Sequence, residues 1–298
     1  MKKMLFVMNP IAGQQKAKRS LADILSIFNR AGYQITAYMT GGPGDGAAYV
    51  ERMAGQVDLV VCCGGDGTFN ETVTGALKSG TGVPLGYIPA GTTNDLAASI
   101  GLPGNCLEAA RQIVEGKPVS YDVGRFGDRH FAYVASFGAF TRTSYATPQN
   151  VKNALGHTAY LLEGISELSQ IRKLHVRLEL DGGEVVDEEF LFGAISNSTS
   201  VGGILTLDPK QVDMGDGRFE LLLVRSPKDL SELAEGVRAL RSQKYNCRMI
   251  RFLSASRVKI WMDPGTVWSL DGERAVTDGP VTVENLHHAI RLMKRRGK

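Results

Sequence analysis

The sequence predicts an α/β protein of two domains: an amino-terminal domain on a parallel sheet and a carboxyl-terminal antiparallel β domain. Three observations predict it. Before residue 124, short apolar runs alternate with helical stretches, the pattern of a parallel layer. After Gly124, strand-like runs follow one another with few helices between them. A length of 298 residues suits about two domains. The boundary is expected near Asp122 to Gly124, giving domains of 1–123 and 124–284.

Met4 to Met8 reads as a short buried strand, followed by the turn Asn9-Pro10-Ile11-Ala12-Gly13. Lys16 to Ala31 reads as a helix with Leu21, Ile24, Leu25 and Phe28 on one face, ended by Gly32. Tyr33 to Met39 is the second strand and closes at Thr40. Gly41 to Gly46 is a loop and Ala47 to Ala54 a helix. Val57 to Cys63 is the third strand, and a helix from Asn70 to Leu77 follows it. Pro84 to Ile88 is the next strand, running into Pro89-Ala90-Gly91-Thr92-Thr93-Asn94-Asp95. Cys106 to Glu115 is a helix, and Val119 to Val123 a strand that holds Asp122 in an apolar run.

The chain is organised around Gly64-Gly65-Asp66-Gly67-Thr68-Phe69-Asn70-Glu71. Glycines between a buried strand and a helix let the backbone take positive φ and approach a ligand closely. The helix start offers N–H groups and the positive end of its dipole, which suits phosphate. Asp66 would repel a bare phosphate, and a Mg²⁺ between the two resolves the conflict. The run lacks the Lys-Ser/Thr end of a P-loop. In parallel sheets ligands bind at the carboxyl ends of strands. Asn9 to Gly13, Thr40 and Gly64 to Asn70 all fall there, and Asp95 is a second carboxylate near such an end. Thr92 or Thr93 could cap a helix or touch a phosphate; Asn94 and Asp95 could merely start that helix. Asp122, in an apolar run, needs a partner or a metal.

In the second half, Arg125 to Phe137 reads as a hairpin turning at Gly127-Asp128, and Tyr160 to Ile171 as a helix. Leu174 to Leu180 and Val185 to Ser196 are strands joined at Asp181-Gly182-Gly183. Arg218 to Val224, Arg248 to Leu253, Val258 to Met262 and Trp268 to Leu270 are further strands. Gly202-Gly203 is either a turn or a ligand contact. The loop from Asp208-Pro209 to Gly217 carries Asp208, Asp213 and Asp216 without the EF-hand ligand series. Glu273, after Asp271-Gly272, is a carboxylate just past a strand end, hence either a base or an exposed turn residue.

Composition narrows the function classes. A net charge of +3 gives no field for nucleic acid. No run approaches a membrane span, and the amino terminus shows no signal-peptide pattern. The four cysteines, Cys62, Cys63, Cys106 and Cys247, lack Cys-x-x-Cys spacing and read as free thiols of a cytoplasmic protein. Arg238, Arg241, Lys244, Arg248, Arg251, Arg257 and Lys259 lie in a stretch free of acids between Glu235 and Asp263. That stretch is either a face for anionic lipid or a solvated face whose acids come from elsewhere in the fold. Lys294-Arg295-Arg296 reads as a solubilising tail.

With Gly64-Gly65-Asp66-Gly67-Thr68-x-Asn70-Glu71, Pro89-x-Gly91-Thr92-x-Asn94-Asp95, Asp122-Val123-Gly124, Asp271-Gly272-Glu273 and Asn9-Pro10-x-x-Gly13 in order, the chain resembles the diacylglycerol kinase family, specifically its soluble bacterial lipid kinases. The resemblance implies an amino-terminal α/β ATP-binding domain and a carboxyl-terminal β-sandwich, with the active site in the cleft between them. It implies that residues 285–298 return to the first domain. It places ATP on Asn9, Pro10, Ile11, Ala12, Gly13, Thr40, Gly64, Gly65, Asp66, Gly67, Thr68, Phe69, Asn70 and Thr92. It implies Glu273 as catalytic base and an aspartate–water–Mg²⁺ network on Asp66, Asp95 and Asp122. It also implies a structural Mg²⁺ on Asp213, Asp216 and Arg218, Asp216 by side chain and the others by carbonyl; Arg218 departs from the usual apolar residue. The implied reaction is transfer of the ATP γ-phosphoryl group to diacylglycerol, by a cytoplasmic enzyme touching the inner face of an anionic membrane; a homodimer is compatible with it. Phosphatidylglycerol or a sphingoid base are alternative acceptors. NAD kinase and a catalytically silent nucleotide-binding regulator are the other readings.

Overall fold

The computed structural model describes residues 1–92, 94–138, 172–201, 205–207, 212–242, 244–245 and 247–295. Thr93, the helix expected over Tyr160 to Ile171, Gly202-Gly203, Asp208-Pro209 and Arg296 lie outside the described residues. The chain divides into two compact units, Met1–Val123 with Leu286–Lys298, and Gly124–Asn285.

The first unit is a parallel layer. Strands β1 (Lys2–Met8), β2 (Tyr33–Met39), β3 (Leu59–Gly64) and β4 (Leu85–Pro89) run in the order β2-β1-β3-β4. The chain's last strand returns beside them, with Leu292 paired to Leu85 in parallel. Both faces of β1 and β3 are buried, so they carry apolar residues continuously, as strands of a covered parallel sheet do. Met4, Phe6, Met8, Leu59, Val61 and Cys63 belong to a core shared with Ile24 and Phe28 of helix α2 (Leu21–Arg30) and with Ala109, Ala110 and Ile113 of α6 (Cys106–Glu115). Cys62 does not join Cys63 in that core, because successive strand residues point to opposite faces. All four cysteines are free thiols.

The other helices of this unit are α1 (Lys16–Arg19), α3 (Asp45–Met53), α4 (Asp66–Ser79) and α5 (Asp95–Ser99). The helix expected from Lys16 to Ala31 is broken at Ser20. The largest departure is at α4. The sequence predicts a tight turn from Gly64 and a helix only from Asn70; the helix begins at Asp66. Glycine is a poor helix former, but at the first turn several N–H groups lack intrahelical partners in any case, so Gly67 is tolerated there.

The second unit is antiparallel. Strand β5 (Lys117–Phe126) crosses the boundary and turns at Gly127-Asp128 into β6 (Arg129–Phe131). Next come β7 (Val134–Gly138), β8 (Leu174–Leu180), β9 (Val185–Phe190) and β10 (Phe192–Ser196). They are followed by the short strands β11 (Ser200–Val201) and β12 (Leu205–Thr206), then β13 (Phe219–Val224) and helix α7 (Leu230–Ser242). The rest are β14 (Ile250–Ala255), β15 (Arg257–Trp261), β16 (Thr266–Leu270), β17 (Glu273–Thr277) and β18 (Val281–Lys294). One sheet runs β14-β13-β10-β7-β16-β17. Opposite it, β9, β8, β15 and the first part of β18 are hydrogen-bonded in that order. Phe131, Phe137, Phe190, Phe219 and Trp268 fill the core that both contribute to. The single strand expected from Val185 to Ser196 is two. Leu191 is the corner where the chain leaves β8's sheet, and its N–H donates to Val224 O at 2.8 Å.

Candidate active site

Parallel, in-register pairing brings the carboxyl ends of β1 to β4 to one edge of the sheet. Short backbone bonds tie the loops that leave them. Asn9 N–H donates to Cys63 O at 3.1 Å, Thr40 N–H to Met8 O at 2.9 Å and Ala90 N–H to Gly64 O at 2.7 Å. The Asn9 amide donates to Thr68 Oγ1 at 3.4 Å and accepts from Ile11 N–H at 3.1 Å. Glycine is obligatory at two of the contacts. Gly13 has φ +51, and a Cβ there would lie 1.8 Å from Ala90 O. A Cβ on Gly91 would lie 2.6 Å from Gly65 Cα. Three loops therefore meet backbone to backbone in a cradle that any side chain would fill. That cradle, with the start of α4 in it, fits a phosphate chain. Ile11 and Thr92 are exposed, and Pro10 and Ala12 half-buried.

The rest of the glycine-rich motif braces this edge. Phe69 is buried and stacks on Tyr87, ring centroids 4.4 Å apart. Asn70 is buried and accepts from Thr74 Oγ1 at 3.3 Å. Glu71 accepts from the N–H groups of Gly44 and Gly46 at 2.7 and 3.1 Å, satisfying donors at the start of α3, whose own N-cap is a glycine. Nothing in the local pattern announces that role, because Glu71 and Gly44 are 27 positions apart.

Asp66 does the same for α5. Its carboxylate accepts from Asp95 N–H at 3.0 Å, from Leu96 N–H at 3.4 Å and from the Tyr87 hydroxyl at 3.4 Å. The N-cap of α5, Asn94, has φ +53 and turns its side chain back to Gly91, accepting from its N–H and donating to its O, each at 2.9 Å. Asp95 thus does start a helix, and it also sets a second carboxylate beside the first. Burial pushes the Asp66 carboxyl above its usual range; the Asp95 N–H pulls it back, and the Asp95 charge pushes it up again. Two neighbouring carboxylates, one of them largely buried, favour a cation beside them, and Asp66 has further lone-pair capacity, since a carboxylate offers about four sites. The pair fits a water-coordinated Mg²⁺. Asp122, on β5, is 2% exposed; its Oδ1 accepts from His288 N–H at 2.7 Å and lies 3.1 Å from His287 Nδ1.

In the second unit, β16 and β17 pair Leu270 with Glu273, leaving Asp271-Gly272 as a two-residue turn with φ +51 and +89. That is the primed hairpin turn that Asp-Gly favours. Glu273 therefore opens β17, half exposed, and pairs with the Arg129 guanidinium at 3.1 Å. Asp271 is buried. It accepts from the N–H groups of Ala132, Tyr133 and Val134, the last two at 3.0 Å. It pins the segment entering β7 and so fixes the hairpin that presents Glu273. Asp271→Asn is expected to cost about 2–3 kcal/mol, because an amide keeps one acceptor and turns a donor toward N–H groups. A urea midpoint within error of the wild type would remove this role.

In the loop before β13, two aspartates accept from backbone N–H groups two residues on. Asp213 accepts from Gly215 N–H at 3.0 Å and Asp216 from Arg218 N–H at 2.9 Å. The Arg218 guanidinium turns away to Ser254 Oγ and O, at 3.0 and 2.7 Å. Glu220, which sequence reasoning passed over inside an apolar run, is buried, and its Oε2 has no hydrogen-bond partner among the described residues. Burial foremost, then the Asp216 and Asp213 charges, pushes its carboxyl up to about 8. An orphaned acid oxygen beside two aspartates fits a cation in this loop. Of the basic stretch, Arg251 pairs with Glu188 at 2.7 Å and Arg257 with Glu284 at 3.2 Å, so two of its charges are matched from elsewhere in the fold. Among the described residues, no helix is long and apolar enough to cross a membrane.

Comparison with known proteins agrees with this geometry. Residues 3–126 match the diacylglycerol kinase catalytic domain, and residues 134–294 the YegS C-terminal NAD kinase beta sandwich-like domain. A diacylglycerol kinase of Bacillus subtilis (strain 168) is 34% identical over 279 residues, covering 92% of this chain and 90% of the relative. One from Staphylococcus aureus (strain bovine RF122 / ET3-1) is 34% identical over 233 residues, 78% of this chain and 73% of its own. A Bacillus anthracis str. Sterne crystal structure, described as a candidate diacylglycerol kinase, superposes with a TM-score of 0.80 at 25% identity, over 99% of this chain and 95% of that one. Parallel strand ends with a glycine cradle, followed by an antiparallel second domain of this kind, define an ATP-dependent kinase. The chain belongs to the diacylglycerol kinase family.

Proposed function

We propose that the enzyme transfers the γ-phosphoryl group of ATP to the free hydroxyl of diacylglycerol, giving phosphatidic acid and ADP. The observation that carries the reading is the three-loop glycine cradle with the Asp66–Asp95 pair beside it. Phosphoryl transfer asks for positioning and charge neutralisation more than for covalent chemistry. Asn9 to Gly13, Thr40, Gly64 to Asn70 and Thr92 hold the nucleotide, Phe69 and Asn70 only by shaping the helix start. Asp66, Asp95 and Asp122 would hold Mg²⁺ through water, and when bound it neutralises phosphate charge. Glu273 takes the acceptor's proton as the lipid oxygen bonds to phosphorus and the bond to the ADP oxygen breaks. Arg129, already paired to Glu273, keeps that carboxylate oriented.

The diacylglycerol acceptor follows the names of the relatives, whereas the second-domain match carries the name of NAD kinase. Labelled ATP offered with diacylglycerol, phosphatidylglycerol and a sphingoid base in mixed micelles, and with NAD in solution, decides among them. Label is expected in phosphatidic acid; label in NADP or in another lipid only would overturn the assignment. Approach to an anionic bilayer falls to the exposed Arg238 on α7 with Lys244 and Arg248 after it, in keeping with a cytoplasmic enzyme at the inner membrane face.

The loop of Asp213, Asp216 and Arg218 is assigned a structural Mg²⁺, with Glu220 as the buried acid that such a cation would hold ionised. Adding Mg²⁺ without nucleotide should raise the melting temperature of the wild type, since a ligand of the native state stabilises it. Asp216→Ala should lose that rise. A mutant that keeps the full shift removes the cation from this loop.

A further inference from the structure

The chain that leaves β2 reads Thr40-Gly41-Gly42-Pro43-Gly44-Asp45-Gly46. Glycine loses more conformational freedom on folding than any other residue, so a loop of this composition does not hold one shape by itself. Thr40 is tied to β1 by its N–H, which donates to Met8 O. The residues after it are held by side chains. Asp45, the first residue of α3, reaches back across the loop. Its Oδ2 accepts from Gly41 N–H at 2.7 Å and its Oδ1 from the Tyr38 hydroxyl at 2.6 Å. Tyr38 is anchored in turn. Its ring stacks on Tyr49 of α3, centroids 3.6 Å apart and planes 7° from parallel, and the Arg52 guanidinium covers the Tyr49 ring at 4.8 Å. The far half of the loop hangs on Glu71 through Gly44 and Gly46.

We propose that Asp45, supported by Tyr38, is a positioning residue for the nucleotide, fixing Thr40 and Gly41 at the edge of the cradle before ATP binds. This role rests on the kinase reading, since Thr40 is a nucleotide position only there. Tyr38 and Gly41 flank Thr40 in the chain, and one carboxylate holds both of them. A carboxylate repels phosphate, so Asp45 serves through geometry rather than by touching the ligand. Each of its oxygens already carries a short hydrogen bond from the protein. A loop ordered in advance does not have to be ordered by the ligand. Loosening it lowers the fraction of chains competent to bind, and the apparent dissociation constant rises by that fraction. Ground state and transition state lose equally, so the loss falls on KM for ATP and not on kcat.

The test is calorimetric titration of the intact chain with a non-hydrolysable ATP analogue and Mg²⁺, beside KM for ATP and kcat on the acceptor lipid. Asp45→Ala should weaken the analogue about tenfold, the result of a tenfold smaller competent fraction. KM for ATP should rise in step while kcat stays within about twofold. Asp45→Asn should restore affinity without restoring the charge. Its amide oxygen can accept from Gly41 N–H, and its amide N–H can donate to the Tyr38 hydroxyl, which accepts as well as donates. Tyr38→Phe keeps the ring stack and loses one hydrogen bond, and should weaken the analogue about threefold. Glu51→Ala, which removes an exposed acid of the same helix, should change nothing. Unchanged affinity in Asp45→Ala, or in Tyr38→Phe where the alanine variant does not fold, would overturn the role. So would Asp45→Asn as weak as Asp45→Ala, an equal loss in Glu51→Ala, or a loss in kcat at unchanged KM. A wild type that binds no ATP analogue would instead defeat the kinase reading, and this role with it; a wild type that binds, with variants that bind alike, defeats this role alone.

Discussion

Glu273→Gln is expected to lower kcat for lipid phosphorylation by roughly 10²–10⁴-fold, the usual contribution of a positioned general base. ATP affinity should hardly change, because the positions proposed for the nucleotide lie on the first unit and Glu273 opens a strand of the second. Stability should also hold. The Arg129–Glu273 pair is half exposed, and such pairs contribute at most about 1 kcal/mol. The change thus separates chemistry from folding. Turnover on the acceptor lipid and ATP binding by calorimetry, on one preparation, check it. Full turnover would send the proton elsewhere; lost ATP affinity with kcat preserved would move Glu273 into the nucleotide site.

Asp66→Asn should fail in two ways at once. Activity is expected to fall by more than tenfold, since the amide no longer offers a charge to match a cation on the phosphates. Stability should fall by about 1 kcal/mol or somewhat more, because the carboxylate also caps α5 through Asp95 and Leu96. Treating Asp66 as a turn residue would lead one to expect almost no effect on folding; its place in the structure changes that expectation. Tyr87→Phe is the comparison, as it removes the long hydrogen bonds of one hydroxyl to Asp66 and Asn94 and no charge. Activity assayed well below the melting midpoint distinguishes the roles. A mutant whose lost turnover merely follows its unfolded fraction leaves Asp66 as a cap and nothing more.

Much of the first unit was legible because its signals are local. Strand Tyr33–Met39 and helix Cys106–Glu115 are marked by apolar runs, spacing and caps within their own lengths. The start of α4 was misjudged because glycine signals a turn equally well outside a helix and in its first turn. The split at Leu191 was illegible because both strands are apolar, and only pairing with different partners separates them. The Asp-Gly turn before Glu273 was present as a hairpin signal in the residues themselves.

By itself the sequence determined the order of strands and helices, the glycines that let loops touch, and the set of carboxylates placed near strand ends. Tertiary structure alone decided what each carboxylate does. Asp66 meets the backbone of Asp95 and Leu96, Glu71 that of Gly44, Asp271 that of Ala132 to Val134, and Asp122 that of His288. Glu220 was left buried with an oxygen unmatched among the described residues. The reason is physical. A carboxylate's charge and hydrogen-bonding capacity are fixed by its type, but its partners and its burial come from residues about 25 to 165 positions away, brought beside it only by the packing of sheets and loops.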